Sequence, residues 1–108
     1  LTQPDETTIE RIAAQLAALG VRPDRPLLVH SSLRSLGPVQ GGAETVVRGL
    51  RRALGAGGTL MMPALSYETV GSRNPVFDVQ ATPSCVGALT EYFRMRPGTR
   101  RSIHPTHS

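Results

Sequence analysis

Five consecutive residues, His30-Ser31-Ser32-Leu33-Arg34, bring together an imidazole, two hydroxyls, a guanidinium and the free backbone amides of a turn. That set suits an anion such as a phosphate or pyrophosphate, because hydroxyls and amides can point at its oxygens while Arg supplies charge. No GxxxxGK[ST] loop and no GxGxxG run accompanies it, so neither ATP nor NAD is indicated. The competing reading is a plain polar turn after a strand, with His30 as a structural hydrogen-bonder. Two aromatic-acidic pairs, Tyr67-Glu68 and Phe77-Asp78, could gather cationic groups; otherwise they are solvated loop charges. His104 and His107 flank Pro105-Thr106 after Arg100-Arg101-Ser102, with no Cys or carboxylate nearby. Too few ligands stand there for a metal, and a hydrogen-bonding imidazole near a crevice is the better reading. Cys85 is the single cysteine. It excludes an intrachain disulfide and a Cys-rich zinc site, and no adjacent His activates its thiol.

Positioning these groups requires a scaffold, and apolar periodicity supplies one. Residues 3 to 19 read as a helix with Ile9, Ile12, Ala13, Leu16 and Leu19 on one face. Thr2 would cap it, with Asp5 three residues on and Pro4 in the first turn, and Gly20 would end it. Leu27 to Val29, reaching at most His30, is a short apolar run of the kind found in a sheet covered on both faces. Ala43 to Leu54 follows as a second amphipathic helix, its face made of Val46, Val47, Leu50 and Leu54. Gly55-Ala56-Gly57-Gly58 then turns the chain into a second strand, Thr59-Leu60-Met61-Met62-Pro63. That glycine run follows a helix and precedes a strand, so it is turn chemistry and not a phosphate loop.

Strand, helix and strand form a βαβ unit whose right-handed crossover makes the strands parallel. The turn at His30-Ser31-Ser32 and the segment Pro63-Ala64-Leu65-Ser66 should then leave the same sheet edge, the usual ligand crevice of open α/β sheets. Ser66 to Ala81 holds no regular element, and Thr82-Pro83-Ser84 starts a third helix from Val86 to Met95 with Val86, Leu89, Phe93 and Tyr92 as its apolar face. The expected fold is α/β: a βαβ-containing, mostly parallel sheet with flanking helices. Residues 1–108 are read as a single partial domain, the N-terminal part of a larger one, because the turn-rich run from Arg100 to Ser108 is followed by no closing element.

The formal charge of +4 rests on twelve basic residues, every one an Arg. They are scattered along the chain and do not form one stripe, which argues against a nucleic-acid partner. No apolar run approaches the length of a membrane span, and the polar, acidic start does not resemble a signal peptide; no membrane partner and a cytoplasmic location are expected.

Taken in order, several separated motifs resemble the aminoglycoside 3-N-acetyltransferase family, antibiotic acetyltransferases of a non-GNAT fold. They are Leu28-Val29-His30-Ser31-Ser32-Leu33-Arg34-Ser35-Leu36-Gly37, Gly41-Gly42-Ala43-Glu44-Thr45, and Gly58-Thr59-Leu60-Met61-Met62-Pro63 after Gly55. Phe77-Asp78, Thr82-Pro83-Ser84 with Gly87, Glu91 and Phe93-Arg94, and Arg101-Ser102-Ile103-His104-Pro105 continue the series.

The resemblance implies acetyl-CoA-dependent N-acetylation of the 3-amino group of aminoglycoside antibiotics, hence resistance, with acetyl-CoA as co-substrate and no metal. It implies CoA binding by Ser31, Ser32, Leu33, Arg34 and Ser35, and an acceptor-facing loop carrying Tyr67, Glu68 and Asp78 around Ser66. Tyr67 stands where related chains often carry Trp, which keeps an aromatic wall. The family's general base, in a His-x-x-x-Glu motif, is expected beyond Ser108; the catalytic base is therefore unknown within this chain, with His104 an auxiliary near the thioester. Alone, the segment is expected to be inactive. Alternatives are an acyl-CoA-dependent acyltransferase acting on another amine, or an inactive, truncated CoA-binding module.

Overall fold

The computed structural model describes residues 3–104 and 108. It contains α1 (Glu6–Ala18), β1 (Pro26–Leu28), α2 (Gly42–Leu54), β2 (Thr59–Met61) and α3 (Ala88–Met95), in that order. Two compact units are present. The first comprises residues 1–29 and 34–61, and the second residues 30–33 and 62–108.

In the first unit the βαβ expectation holds. β1 and β2 pair in parallel with Leu27 opposite Leu60 and Leu28 opposite Met61, and the Val29 amide donates to the Met61 carbonyl at 2.9 Å. Both strands therefore leave on the same edge, His30 following one and Met62 the other. Leu27 and Leu60 are half-buried, while among the described residues Leu28 is 54% exposed and Met61 42%. The apolar face read for α2 is the core, with Val46, Val47, Leu50 and Leu54 all buried.

The first helix starts later than its periodicity suggested. Asp5 is the N-cap and accepts from the Thr8 amide at 3.0 Å, which places Pro4 ahead of the cap instead of in the first turn. The Thr8 hydroxyl donates to the same carboxylate, and these bonds hold Asp5 below the usual carboxylate range. Thr2, the expected cap, lies outside the described residues. Ile9 is buried, but Leu19 sits at the C-cap and is exposed, one position past the helical register. Outside the core, α1 and α2 are joined by Arg52, which pairs with Glu6 and, at 3.0 Å, with Glu10. All three side chains are well exposed, so the pairs contribute little.

Gly49 sets how closely the two helices approach. A Cβ placed there would lie 2.5 Å from Ile12 Cγ2 and 2.7 Å from Ile12 Cβ. Alanine gains about 1 kcal/mol of helix propensity over glycine, whereas overpacking costs about 1–3 kcal/mol. The clash involves a β-branched atom fixed to its own helix, so overpacking wins. Gly49→Ala is expected to lower the urea midpoint, and Ile12→Ala in the same chain to recover part of the loss.

Candidate functional site

The second unit is built on fewer apolar side chains. Leu89 and Val70 are buried with Ala64, while Ser66 and Thr90 are buried polar residues. No buried side-chain polar atom among the described residues lacks a partner. The third helix begins at Ala88 and not at Val86, because Gly87 takes φ 123°, ψ 158°, a conformation outside the helical range that only glycine adopts readily. Thr82-Pro83-Ser84 is therefore an irregular segment ahead of the helix. That segment is tied to α3 by Glu91, which accepts from the Ser84 amide at 2.8 Å. Of the apolar face read for α3, Leu89 is buried, Val86 and Phe93 half-buried and Tyr92 exposed.

The expected anion turn is divided between the units: Ser31, Ser32 and Leu33 belong to the second, Arg34 and Ser35 to the first. Within the second unit, the Ser31 carbonyl lies 3.8 Å from the point a Gly87 Cβ would occupy, beside the amino end of α3. Within the first, the Gly37 amide donates to the Arg34 carbonyl at 3.1 Å and closes a turn. Ser32, Arg34 and Ser35 are exposed, and the Arg34 guanidinium has no carboxylate partner among the described residues. His30 is exposed as well.

Tyr67 and Glu68 occupy the tip of a tight turn, closed where the Thr69 and Val70 amides donate to the Ser66 carbonyl at 3.2 and 2.9 Å. Tyr67 is 63% exposed. The Glu68 carboxylate is exposed and has no ion-pair partner among the described residues, leaving it available to an ammonium group. Asp78 is also exposed but partly engaged: Oδ1 accepts from the Gln80 and Ala81 amides at 2.8 and 3.1 Å, an Asx-type turn. His104 is exposed, its amide 3.5 Å from Ser102 Oγ; His107 lies outside the described residues. Cys85 is half-buried, and its amide donates to the Leu65 carbonyl at 2.8 Å. No cluster of three or more His, Cys, Asp or Glu suited to a metal occurs among the described residues. No helix among them is long and apolar enough to cross a membrane.

Two arginines organise this unit, and the sequence reading gave neither a role. Arg94, with a side chain only 8% exposed, donates through Nε and Nη2 to the two oxygens of Glu91 at 2.8 and 2.6 Å, and through Nη1 to the Gln80 carbonyl at 2.7 Å. The Glu-x-x-Arg spacing on one helix face was the available signal. Arg101 donates through Nη2 to Ser66 Oγ at 2.9 Å, through Nη1 to the Thr82 and Val79 carbonyls, and through Nε to Ser108 Oγ at 2.6 Å. Its guanidinium also lies 4.8 Å from the centre of the Phe77 ring. Burial, and to a lesser degree the Arg94 charge, push the Arg101 pKa down. Nothing in the Arg100-Arg101 pair marks which one turns inward.

The fork from Arg94 holds the Glu91 carboxyl below its ordinary value of 4.5; burial opposes this and the Ser84 amide assists it. A depressed folded-state pKa contributes stability above about 4.5, and that contribution is lost as pH falls through the folded value. Glu91→Gln is expected to cost about 1 kcal/mol at neutral pH, below the roughly 1.5–3 kcal/mol of a buried charge-assisted hydrogen bond because the carboxylate is partly exposed. Stability measured by urea denaturation against pH should then fall less steeply below about pH 5 in the variant than in the unsubstituted chain.

A family profile described as aminoglycoside 3-N-acetyltransferase matches residues 28–108. The chain belongs to this family. It is 40% identical to aminoglycoside N(3)-acetyltransferase III of Serratia marcescens over 94% of its own length and 44% of the relative's. The crystal structure of the acetyltransferase AAC(3)-IVa in complex with gentamicin superposes with a TM-score of 0.83 at 35% identity, covering 99% of this chain and 39% of that one. The AAC-IIIb binary complex with CoASH matches with a TM-score of 0.78 at 30% identity, covering 91% and 42%. The chain thus spans about two-fifths of the length of these relatives.

Proposed function

We propose that the chain forms part of an enzyme that transfers the acetyl group of acetyl-CoA to the 3-amino group of aminoglycoside antibiotics. Both of its units would belong to one acetyltransferase domain, in the cytoplasm. The observation that carries this reading is the family match over residues 28–108, which takes in both the anion turn and the carboxylate-bearing loop.

Ser31, Ser32, Leu33, Arg34 and Ser35 would hold the diphosphate and pantetheine arm of CoA. Exposed hydroxyls and the Arg34 guanidinium are the right chemistry for that group, and the amino end of α3 beside Ser31 adds oriented amides. Bound there, acetyl-CoA supplies a thioester whose carbonyl carbon an amine can attack. Tyr67, Glu68 and Asp78 would face the polycationic acceptor. Glu68 is the strongest candidate, because Asp78 already serves two amides of its own turn. In the transfer the amine nitrogen bonds to the acetyl carbon, the carbon–sulfur bond breaks, and the amine proton must leave. That proton needs a base of suitable pKa within hydrogen-bond reach. No residue of this chain is assigned that task, and His104 would be at most an auxiliary. Acetylation replaces an ammonium with a neutral amide, and an antibiotic that binds RNA through positive charge loses one such contact.

The test is isothermal titration with CoA, together with release of free thiol from acetyl-CoA on adding gentamicin to the protein at its full natural length. Binding heat and thiol release are expected. Absence of heat with CoA would sink the site at Ser31 to Ser35, and thiol release with plain amines alone would move the acceptor to another class.

A further inference from the structure

We propose that Arg101 is the positioning residue of the acceptor loop, fixing the Tyr67-Glu68 turn and the Asp78 turn so that their carboxylates stand ready for a polycationic amine. This rests on the function proposed above. A single guanidinium grips both turns. On one side, Nη2 donates to Ser66 Oγ, the residue whose carbonyl closes the turn bearing Tyr67 and Glu68. On the other, Nη1 donates to the carbonyls of Val79 and Thr82, which flank the Asp78 turn; the Thr82 amide in turn donates to the Asp78 carbonyl at 2.9 Å. Phe77, next to Asp78, lies against the guanidinium.

Ser66 is fully buried and its hydroxyl also donates to the Pro83 carbonyl at 3.0 Å, so the grip is anchored in the interior. The remaining donor, Nε, reaches Ser108 Oγ, which donates to the Ala64 carbonyl at 3.2 Å.

Two further observations favour this role over simple packing. No carboxylate among the described residues forms an ion pair with Arg101; its charge is met by carbonyls, hydroxyls and a ring. Arg101 therefore ties down neither Glu68 nor the Asp78 carboxylate. The planar fork also matters: its five donors lie in one fixed plane, whereas an ammonium is a point charge with three. Arg101→Lys should retain the charge but not the simultaneous hold on Ser66, Val79 and Thr82.

The test uses the protein at its full natural length and compares Arg101→Gln, Arg101→Lys and the milder Ser66→Ala, which removes one acceptor of the fork and covers the case in which the Arg101 variants fail to fold. Hydrogen exchange should quicken at the amides of residues 69, 70 and 80 to 82. KM for gentamicin should rise roughly tenfold or more in the Arg101 variants and less in Ser66→Ala, since displacing positioning groups by about 1 Å has effects of that order. KM for acetyl-CoA should stay within about twofold. Equal rises in both KM values, or faster exchange with gentamicin KM unchanged, would overturn the positioning role alone. Failure of the unsubstituted protein to bind any aminoglycoside would overturn the functional reading and the positioning role together.

Discussion

Gly41→Ala should destabilise the first unit by about 2–5 kcal/mol, combining roughly 1–2 kcal/mol for a left-handed non-glycine residue with about 1–3 kcal/mol for overpacking. Gly41 caps α2 at φ 82°, ψ 1°. A Cβ there would lie 2.7 Å from the Gln3 carbonyl oxygen and 2.9 Å from the Asp5 amide nitrogen, with Thr45 Oγ1 nearer still. Two of the three obstacles are backbone and cannot swing aside. The third, Thr45 Oγ1, is fully buried and accepts from the Asp5 amide at 3.0 Å, so moving it breaks the link between the α1 cap and the first turn of α2. Gly20→Ala is the control, because its φ of 102° carries the backbone penalty while no atom lies within 4 Å of the added Cβ. Urea midpoints should place Gly41→Ala well below Gly20→Ala. Equal midpoints would show that the crowding at α2 relaxes without cost.

Leu89→Ala should be comparably damaging, at about 2–5 kcal/mol for a fully buried leucine. Leu89 is completely excluded from solvent, and the other buried apolar residues of its unit among those described, Ala64 and Val70, are smaller. A cavity at this position removes the largest apolar anchor from a unit otherwise tied together by hydrogen bonds from Arg94 and Arg101. The loss should be local. Hydrogen exchange is expected to accelerate through residues 88–95 and the turns at 66–70 and 78–82, while the amides of α2, packed on Val47 and Leu50, keep their protection. Uniform loss of protection across both units would contradict this.

The parts of the molecule written in apolar periodicity were legible from the sequence. The α2 face and the parallel pairing of two short strands followed from residue spacing and the crossover rule, and both are found. Boundaries were less accessible. Helix α1 begins at Glu6 because Asp5, whose carboxylate is met by the Thr8 amide and hydroxyl, outcompetes the helix for its own backbone. Helix α3 begins after Gly87 because of a backbone angle that no neighbouring residue type announces. Exposure of Leu28 and Met61 was hidden for a different reason: an apolar run reads the same whether one or both faces of a sheet are covered.

At the candidate site, residue types disclosed which groups could touch an anion or a cation. They could not disclose the arginine that connects two turns, since its hydrogen-bond partners are two backbone carbonyls and two serine hydroxyls, three of the four lying 19 or more residues away in sequence. Carbonyls are present at every position and leave no mark in the sequence.

The ion pairs of Arg48, Arg52 and Arg94 all draw their cation from a guanidinium, and the sequence contains no lysine at all. A guanidinium stays protonated at any physiological pH and is not a nucleophile toward thioesters. Along these 108 residues there is therefore no side-chain amine that a thioester could acylate, and reagents that label lysine side chains would find no target.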